Sequence, residues 1–284
     1  MKNYSKIKSS RRKTSDIIIE IIMIILAAIV MIPIYYLIVT TFKTPEESTI
    51  SPLGLPKRLV FDNYVEAWKM MNYPRAFKNN FIITFFSVLL LIIFSSMASY
   101  TIARRYNKLN RIIYSVFLLG LMVPFQMAII PLYKLASNLN MINNLWGVII
   151  ISTFCMNLPF SIFLFRGFIN TVPIELEESA FIDGSGVFRT FWFIVFPSLK
   201  PIVATVAILN TLAIWNDFLT PLLFLQSREK SVIVQEIYRN IGQFSTDWTS
   251  FFPMMVLGVA PLLIFYISMQ KYIIKGVISG SVKG

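Results

Sequence analysis

Histidine is absent from the 284 residues, cysteine occurs once, at Cys155, and charged residues make up only 14% of the chain. Without histidine and with a solitary cysteine, no nucleophile, base and orienting acid can be assembled into a hydrolytic site. A zinc cluster and an intramolecular disulfide are excluded in the same way. There is no G-x-x-x-x-G-K-[ST] phosphate loop and no other glycine-rich turn between a strand and a helix, so the chain carries no nucleotide machinery. The expectation is a protein that is not an enzyme, with no catalytic residue, no metal ligand set and no cofactor of its own.

Hydrophobic residues fill 56% of the sequence, far from the balance of a soluble domain. Six runs are long and apolar enough to cross about 30 Å of hydrocarbon, which takes roughly 20 helical residues: 21–42, 79–103, 112–133, 145–165, 202–225 and 251–270. Only the fifth contains a formal charge, Asp217. The runs lack the period-two alternation of lipid-facing strands, so the predicted fold class is an all-α polytopic membrane protein of six transmembrane helices. The division expected is a basic N-terminal segment over 1–16 and a membrane domain over 17–284. The first run exceeds a signal-peptide core of about 7–15 residues, and no small-residue cleavage site follows before Lys43, so it is expected to stay as a helix.

Lysine and arginine set the predicted orientation. With the N-terminus inside, segments 1–16, 104–111, 166–200 and 271–284 hold 16 cations in 73 residues, against 10 in 72 for 43–78, 134–144 and 226–250. The positive-inside rule then puts both termini in the cytoplasm. The net charge of +12 is read as cations at span boundaries, where anionic lipid attracts them, and not as a nucleic-acid footprint. Prolines within the runs, at Pro33, Pro124, Pro131, Pro159, Pro221, Pro253 and Pro261, predict kinks. Trp146 and Tyr133 suit an interfacial belt.

Segment 171–201, TVPIELEESAFIDGSGVFRTFWFIVFPSLKP, stands out as a charged, turn-bearing stretch between two apolar runs. It predicts two short helices with a glycine break. Thr171 is expected to N-cap the first, with Pro173 in its first turn and Glu175, Glu177 and Glu178 where the helix dipole favours negative charge. Gly184 and Gly186 end it, because glycine enters the left-handed conformation without a Cβ penalty. Val187, Phe191, Ile194 and Val195 continue at helical spacing until Pro197 and Pro201.

This segment resembles the cytoplasmic EAA loop of ATP-binding-cassette importer permeases. The family pattern, Glu-Ala-Ala, then Asp-Gly, then Ile-x-Leu-Pro, stands here as Glu178, Ser179, Ala180, Asp183, Gly184, Ile194, Phe196 and Pro197, with Ser179 and Phe196 departing from it. FDNYVEAW at 61–68, VPFQMAIIPLYKL at 123–135 and WNDFLTPLLFL at 215–225 are similar to the maltose-type carbohydrate branch. The tail, with Gln270, Lys271, Tyr272, Gly276 and the ending GSVKG, is similar to the shorter of that branch's two permeases. The resemblance implies a permease subunit whose coupling residues, Glu178, Ser179, Ala180, Asp183, Gly184, Gly186, Ile194 and Pro197, seat on an ATPase. It implies as partners a second homologous permease, two ATPase subunits that bind ATP and magnesium, an extracytoplasmic sugar-binding protein, a sugar or oligosaccharide, and the lipid of a bacterial cell membrane, with no nucleic acid.

Trp215, Asn216 and Asp217 fall in mid-span, where polar groups are costly and face either a cavity or another helix. Gln126, Asn157 and Asn210 have side-chain amides suited to sugar hydroxyls, and equally to helix packing. The six are candidates for the substrate path. Loop 226–250 is too long for a simple turn; in the family the corresponding loop reaches toward the binding protein, which makes Arg239, Asn240 and Gln243 contact candidates. A glycerol phosphodiester or polyol is the alternative solute. A secondary transporter would need intramembrane ionisable residues, and only Asp217 is available in mid-span.

Overall fold

The structure, a computed structural model, describes residues 14–241 and 247–281, and its described residues form helices joined by turns. Most of the basic segment 1–16, Gln243 and the last three residues of the tail lie outside them. The helices are α1 (Thr14–Thr40), α2 (Pro45–Ile50), α3 (Asp62–Met70), α4 (Tyr73–Arg104), α5 (Lys108–Met122), α6 (Phe125–Asn138), α7 (Leu145–Ile169), α8 (Glu175–Ile182), α9 (Val187–Ser198), α10 (Lys200–Trp215), α11 (Leu219–Phe224), α12 (Ile233–Ile241) and α13 (Trp248–Ser281). Four of them, Asp16–Thr40, Tyr73–Arg104, Leu145–Ile169 and Trp248–Gln270, are each long and apolar enough to span a bilayer. Two bent pairs would raise the number to six if each is one span: α5 with α6, at 106°, and α9 with α10, at 76°.

Two of the expected runs are interrupted, the first at a proline that predicts a kink, Pro124, and the second where none was expected. The run 112–133 is broken at Val123–Pro124, because proline pushes the preceding residue out of the helical region, and Val123 is extended at φ −85°, ψ 114°. The run 202–225 breaks after Trp215. There the Asp217 carboxylate accepts the Thr220 N–H at 3.2 Å, and α11 starts as a new helix at Leu219. Trp215, Asn216 and Asp217 therefore sit at a helix end and not in the middle of a continuous span. In α7 the stretch Ile151–Asn157 is π-helical and precedes Pro159, whose missing N–H cannot continue the regular ladder.

Two compact units divide the chain, one including everything up to Ala67 and the segment ending at Pro253, the other starting at Trp68 and again at Met254. In the first, residues 17–35 of α1 are exposed, as an apolar helix surrounded by lipid would be. Lys43, counted above as a boundary cation, is fully buried. Its ammonium donates to the carbonyls of Ser51 and Pro52 at 2.7 and 2.9 Å. Burial opposes ionisation of Asp247 at the start of α13. Hydrogen bonds from Ser250 and Thr249 outweigh this and hold its carboxyl below the usual range.

The second unit is organised by α4. Its residues Ser87, Leu91, Ser95 and Ser99, each one helical turn from the next, are all fully buried. Small residues at this spacing let helices approach closely in lipid: the Ser99 hydroxyl donates to the Ile162 carbonyl of α7 at 3.1 Å. One apolar cluster gathers Ile83, Leu91, Val148, Ile149, Ile214 and Phe224. A second joins Tyr100, Phe165, Ile169, Phe191, Val195, Leu199 and Val206. The second cluster carries the segment that the sequence singles out.

Candidate functional site

The helix predicted to begin at Thr171 begins at Glu175. The Thr171 hydroxyl donates back to the Phe168 carbonyl at 2.8 Å, extending the end of α7 rather than capping α8. Pro173 also lies ahead of the first turn, and no side chain caps α8. Glu175, Glu177 and Glu178 do occupy that first turn.

The end of α8 follows the expectation. Gly184 adopts φ +79°, which disfavours any residue with a Cβ. The Ser185 N–H reaches the Ala180 carbonyl at 2.9 Å and the Gly184 N–H reaches Phe181 at 3.0 Å, the two bonds of a Schellman motif. Gly186 is extended and stands at the N-cap of α9, where the Thr190 N–H bonds its carbonyl at 2.9 Å. The break is thus a defined turn, further tied by the Thr190 hydroxyl on Ser185 at 3.1 Å.

One residue that the motif passes over fixes this turn to the helix bundle. Glu177 is 3% exposed; it accepts the Arg104 Nε–H at 2.7 Å and the Tyr100 hydroxyl at 2.8 Å, while Arg104 also donates to the Val172 carbonyl at 2.8 Å. A buried carboxylate is tolerable only with such partners. Ala180, on the same inward face, is 5% exposed, and the rings of Tyr100 and Phe191 lie 5.1 Å apart. The opposite face is open: Glu178, Ser179, Asp183, Gly184, Gly186 and Pro197 are exposed, and Ile194 is half-buried. Ile182, 86% exposed, and Phe188, 67% exposed, add large apolar groups to that face. The segment is therefore held from one side and presents acid and apolar groups on the other.

The polar residues assigned to a substrate path are not gathered in one place. Asn210 is buried and donates to the Ser161 hydroxyl at 3.1 Å and the Val206 carbonyl at 2.8 Å, which is helix packing. The Trp215 indole N–H is spent on the Gly258 carbonyl at 3.2 Å. Asn216, exposed, bonds its own helix at Leu212, and Asp217 accepts the Thr220 N–H of α11. Asn157 donates to the Ser152 carbonyl at 2.8 Å within the π-helical stretch and borders an open cleft of about 620 Å³ with Cys155, Met156, Phe125 and Leu132. Gln126 is exposed at the start of α6, next to that cleft's Phe125. The 106° bend between α5 and α6 and the π-helical stretch of α7 border the same cleft. Of the loop candidates, Arg239 is exposed, whereas Asn240 is buried and donates to the Glu236 carbonyl at 2.7 Å.

Reasoning from the sequence missed Glu177 as an anchor because its partner Arg104 is 73 positions away. It also missed the small-residue spacing of α4, a signal that the sequence does carry.

Comparison with known proteins agrees with this architecture. Residues 92–279 match the family described as binding-protein-dependent transport system inner membrane component. The melibiose/raffinose/stachyose import permease protein MelC of Bacillus subtilis (strain 168) is 36% identical over 89% of this chain and 91% of its own. The probable starch degradation products transport system permease protein AmyC of Thermoanaerobacterium thermosulfurigenes is 34% identical over 88% and 91%. The fold matches, with a TM-score of 0.79 at 23% identity over 92% of this chain and 98% of the other, a chain from the crystal structure of a bacterial ABC transporter involved in the import of the acidic polysaccharide alginate. A family match over most of the chain and relatives of this similarity make the assignment: the chain belongs to the binding-protein-dependent transport system inner membrane components, and is a transporter permease subunit, not an enzyme.

Proposed function

We propose that this chain is one of two permease subunits of an ATP-driven sugar importer in a bacterial cell membrane. The observation that carries the coupling role is the 175–198 segment, pinned inward by Glu177 on Arg104 and open outward at Glu178, Asp183, Ile182 and Phe188. An ATPase subunit binding that outward face moves the base of α4 through the Glu177 anchor. ATP and magnesium belong to two such ATPase subunits. A homologous second permease completes the path, and a binding protein delivers the solute from outside. Alternating access then needs a two-state element biased by both ATP and substrate. A sugar is the solute favoured by the names of relatives such as MelC and AmyC.

Both termini and the 175–198 segment are cytoplasmic in this reading, and α12 is external. Cysteines replacing Arg189 and Lys69, in a Cys155→Ser background, should react with an impermeant thiol reagent from opposite faces; reaction of both from one face would overturn the orientation. The functional test is reconstitution in liposomes. With the second permease, two ATPase subunits and the binding protein, ATP-dependent uptake of a sugar is expected. Equal uptake by this chain alone without ATP would replace the importer reading with secondary transport.

A further inference from the structure

No aspartate or glutamate occurs between Glu66 and Glu175, so the cations of that stretch have no acid nearby in the sequence. Arg104 reaches one through the fold, at Glu177. Three others do not. Arg105, Arg111 and Arg166 line one small cleft where α4 ends, α5 begins and α7 ends. None of the three makes a side-chain hydrogen bond or ion pair among the described residues. The Arg166 guanidinium lies over the Tyr114 ring, 3.8 Å from its centroid, and its Nε is buried without a hydrogen-bond partner among the described residues. A buried donor left unpaired is costly, and here it comes with three positive charges around one opening.

The cleft is held in shape. The Asn110 amide, 8% exposed, donates to the Thr101 and Arg105 carbonyls at 3.2 and 2.9 Å, and the Asn110 N–H bonds the Asn107 side chain at 2.7 Å. These bonds fix the turn from α4 into α5 and with it the backbone of Arg105 and Arg111. Such preorganisation lowers the cost of binding an anion. The cleft's volume, about 50 Å³, is far below the roughly 300–1,000 Å³ of a small-molecule site. It suits a phosphate group, not a sugar.

Its position is where hydrocarbon ends. Both α4 and α7 are long and apolar enough to span a bilayer, and both finish at this cleft. Ile112 and Val116 of α5 and Phe163 of α7 are exposed apolar side chains, as on a lipid-facing surface. Tyr106, 91% exposed, is a residue type enriched at membrane interfaces. We propose that this cleft is a binding site for the phosphate of an anionic lipid headgroup, in the leaflet on the side of the 175–198 segment. Guanidinium groups from Arg105, Arg111 and Arg166 take the phosphate oxygens through planar, charge-assisted hydrogen bonds. A zwitterionic headgroup brings its own cation and offsets less of the positive charge. This is a built site, distinct from the general attraction of boundary cations to an anionic surface. Because Arg105 adjoins Arg104, an occupied cleft braces the same end of α4 that holds Glu177.

The test is native mass spectrometry of the assembled complex in neutral detergent, titrated with phosphatidylglycerol and with phosphatidylcholine of the same acyl chains. Phosphatidylglycerol should bind the wild type at least about tenfold more tightly. Arg111→Gln and Lys108→Gln each remove one exposed cation from the start of α5, yet only Arg111 lines the cleft. Arg111→Gln should therefore weaken phosphatidylglycerol binding by about fivefold or more, and Lys108→Gln by less than about twofold. Arg166→Lys keeps the charge but loses the planar fork, and should weaken it by at least about threefold. Equal losses from Arg111→Gln and Lys108→Gln would leave only diffuse attraction and overturn the site, as would equal binding of the two lipids. Phosphatidylglycerol should also raise the melting temperature of the delipidated complex, and millimolar inorganic phosphate should not. Stabilisation by phosphate alone that disappears in Arg111→Gln would assign the cleft to a soluble anion, and the lipid proposal would fall.

Discussion

The two ends of α4 solve the same electrostatic problem in opposite ways. Each brings an arginine of one helix, some 48 Å long at about 1.5 Å per residue, to a buried carboxylate from another segment. At one end Glu177 and Arg104 meet at 2.7 Å, and Tyr100 and the Val172 carbonyl take the remaining capacity. At the other end Glu236 sits under three arginines, none closer than 3.2 Å. The first site is saturated. At the second, three cations share one carboxylate at longer range. One helix thus ends in a close pair and in a loosely shared one, and the following variants test that contrast.

Glu177→Ala should have the largest effect. It strands the Arg104 guanidinium, 15% exposed, without its carboxylate, and breaking a buried pair by removing one partner costs about 3–5 kcal/mol. Thermal unfolding of the purified complex and ATP-dependent uptake should both fall steeply. Glu177→Gln keeps an amide that still bonds Tyr100 or Arg104, and should retain part of both. A Glu177→Ala complex that melts and transports like the wild type would show that the Glu177–Arg104 pair holds nothing in place.

Asn79→Ala comes next, at the other end. The Asn79 amide, 7% exposed, donates to the carbonyls of Glu229 and Ser231 at 2.9 and 3.0 Å. Its loss leaves both acceptors short of a donor at about 1–3 kcal/mol, seen as a lower melting temperature together with faster proteolysis near the Arg228 turn. Gly184→Ala should follow at about 1–2 kcal/mol, the cost of a Cβ in the left-handed region. No atom lies within 4 Å of the added Cβ, so the penalty is conformational, and uptake should fall more than expression. Uptake equal to wild type would show that the Schellman turn is not needed for coupling.

How much of this was readable beforehand depends on the range of the interaction. Apolar runs gave all-helical membrane architecture, and the Gly184 turn followed from local chemistry, because both depend on neighbours within a few residues. The Thr171 cap failed for a local reason too: the same hydroxyl has an alternative acceptor at Phe168, and the chain turns before Pro173. The break at Val123–Pro124 was signalled by Pro124, whereas the one after Trp215 was not, because hydropathy does not register a break whose flanks are equally apolar. The long-range pairs were unreadable: Glu177 finds Arg104 73 residues away and Glu236 finds Arg75 161 away, and only the tertiary fold sets them, whereas Arg228 and Arg239 lie within eight residues of Glu236.

The smallest expected effect sharpens the contrast most. Arg239→Gln removes one of three cations from Glu236, which keeps Arg75 and Arg228. Arg239 is also the more weakly placed partner, on an exposed turn of α12 at 3.4 Å, where an ion pair contributes about 0.2–1 kcal/mol in water. The melting temperature of the complex should therefore stay close to that of the wild type. Arg104→Gln, by the same measurement, should destabilise clearly, because Glu177 would keep only the Tyr100 hydroxyl and the weaker amide. Equal losses from the two arginine variants would mean that the charge at Glu236 is as fully committed to the fold as the charge at Glu177, and that the Arg75 end of α4 is held as tightly as the Arg104 end.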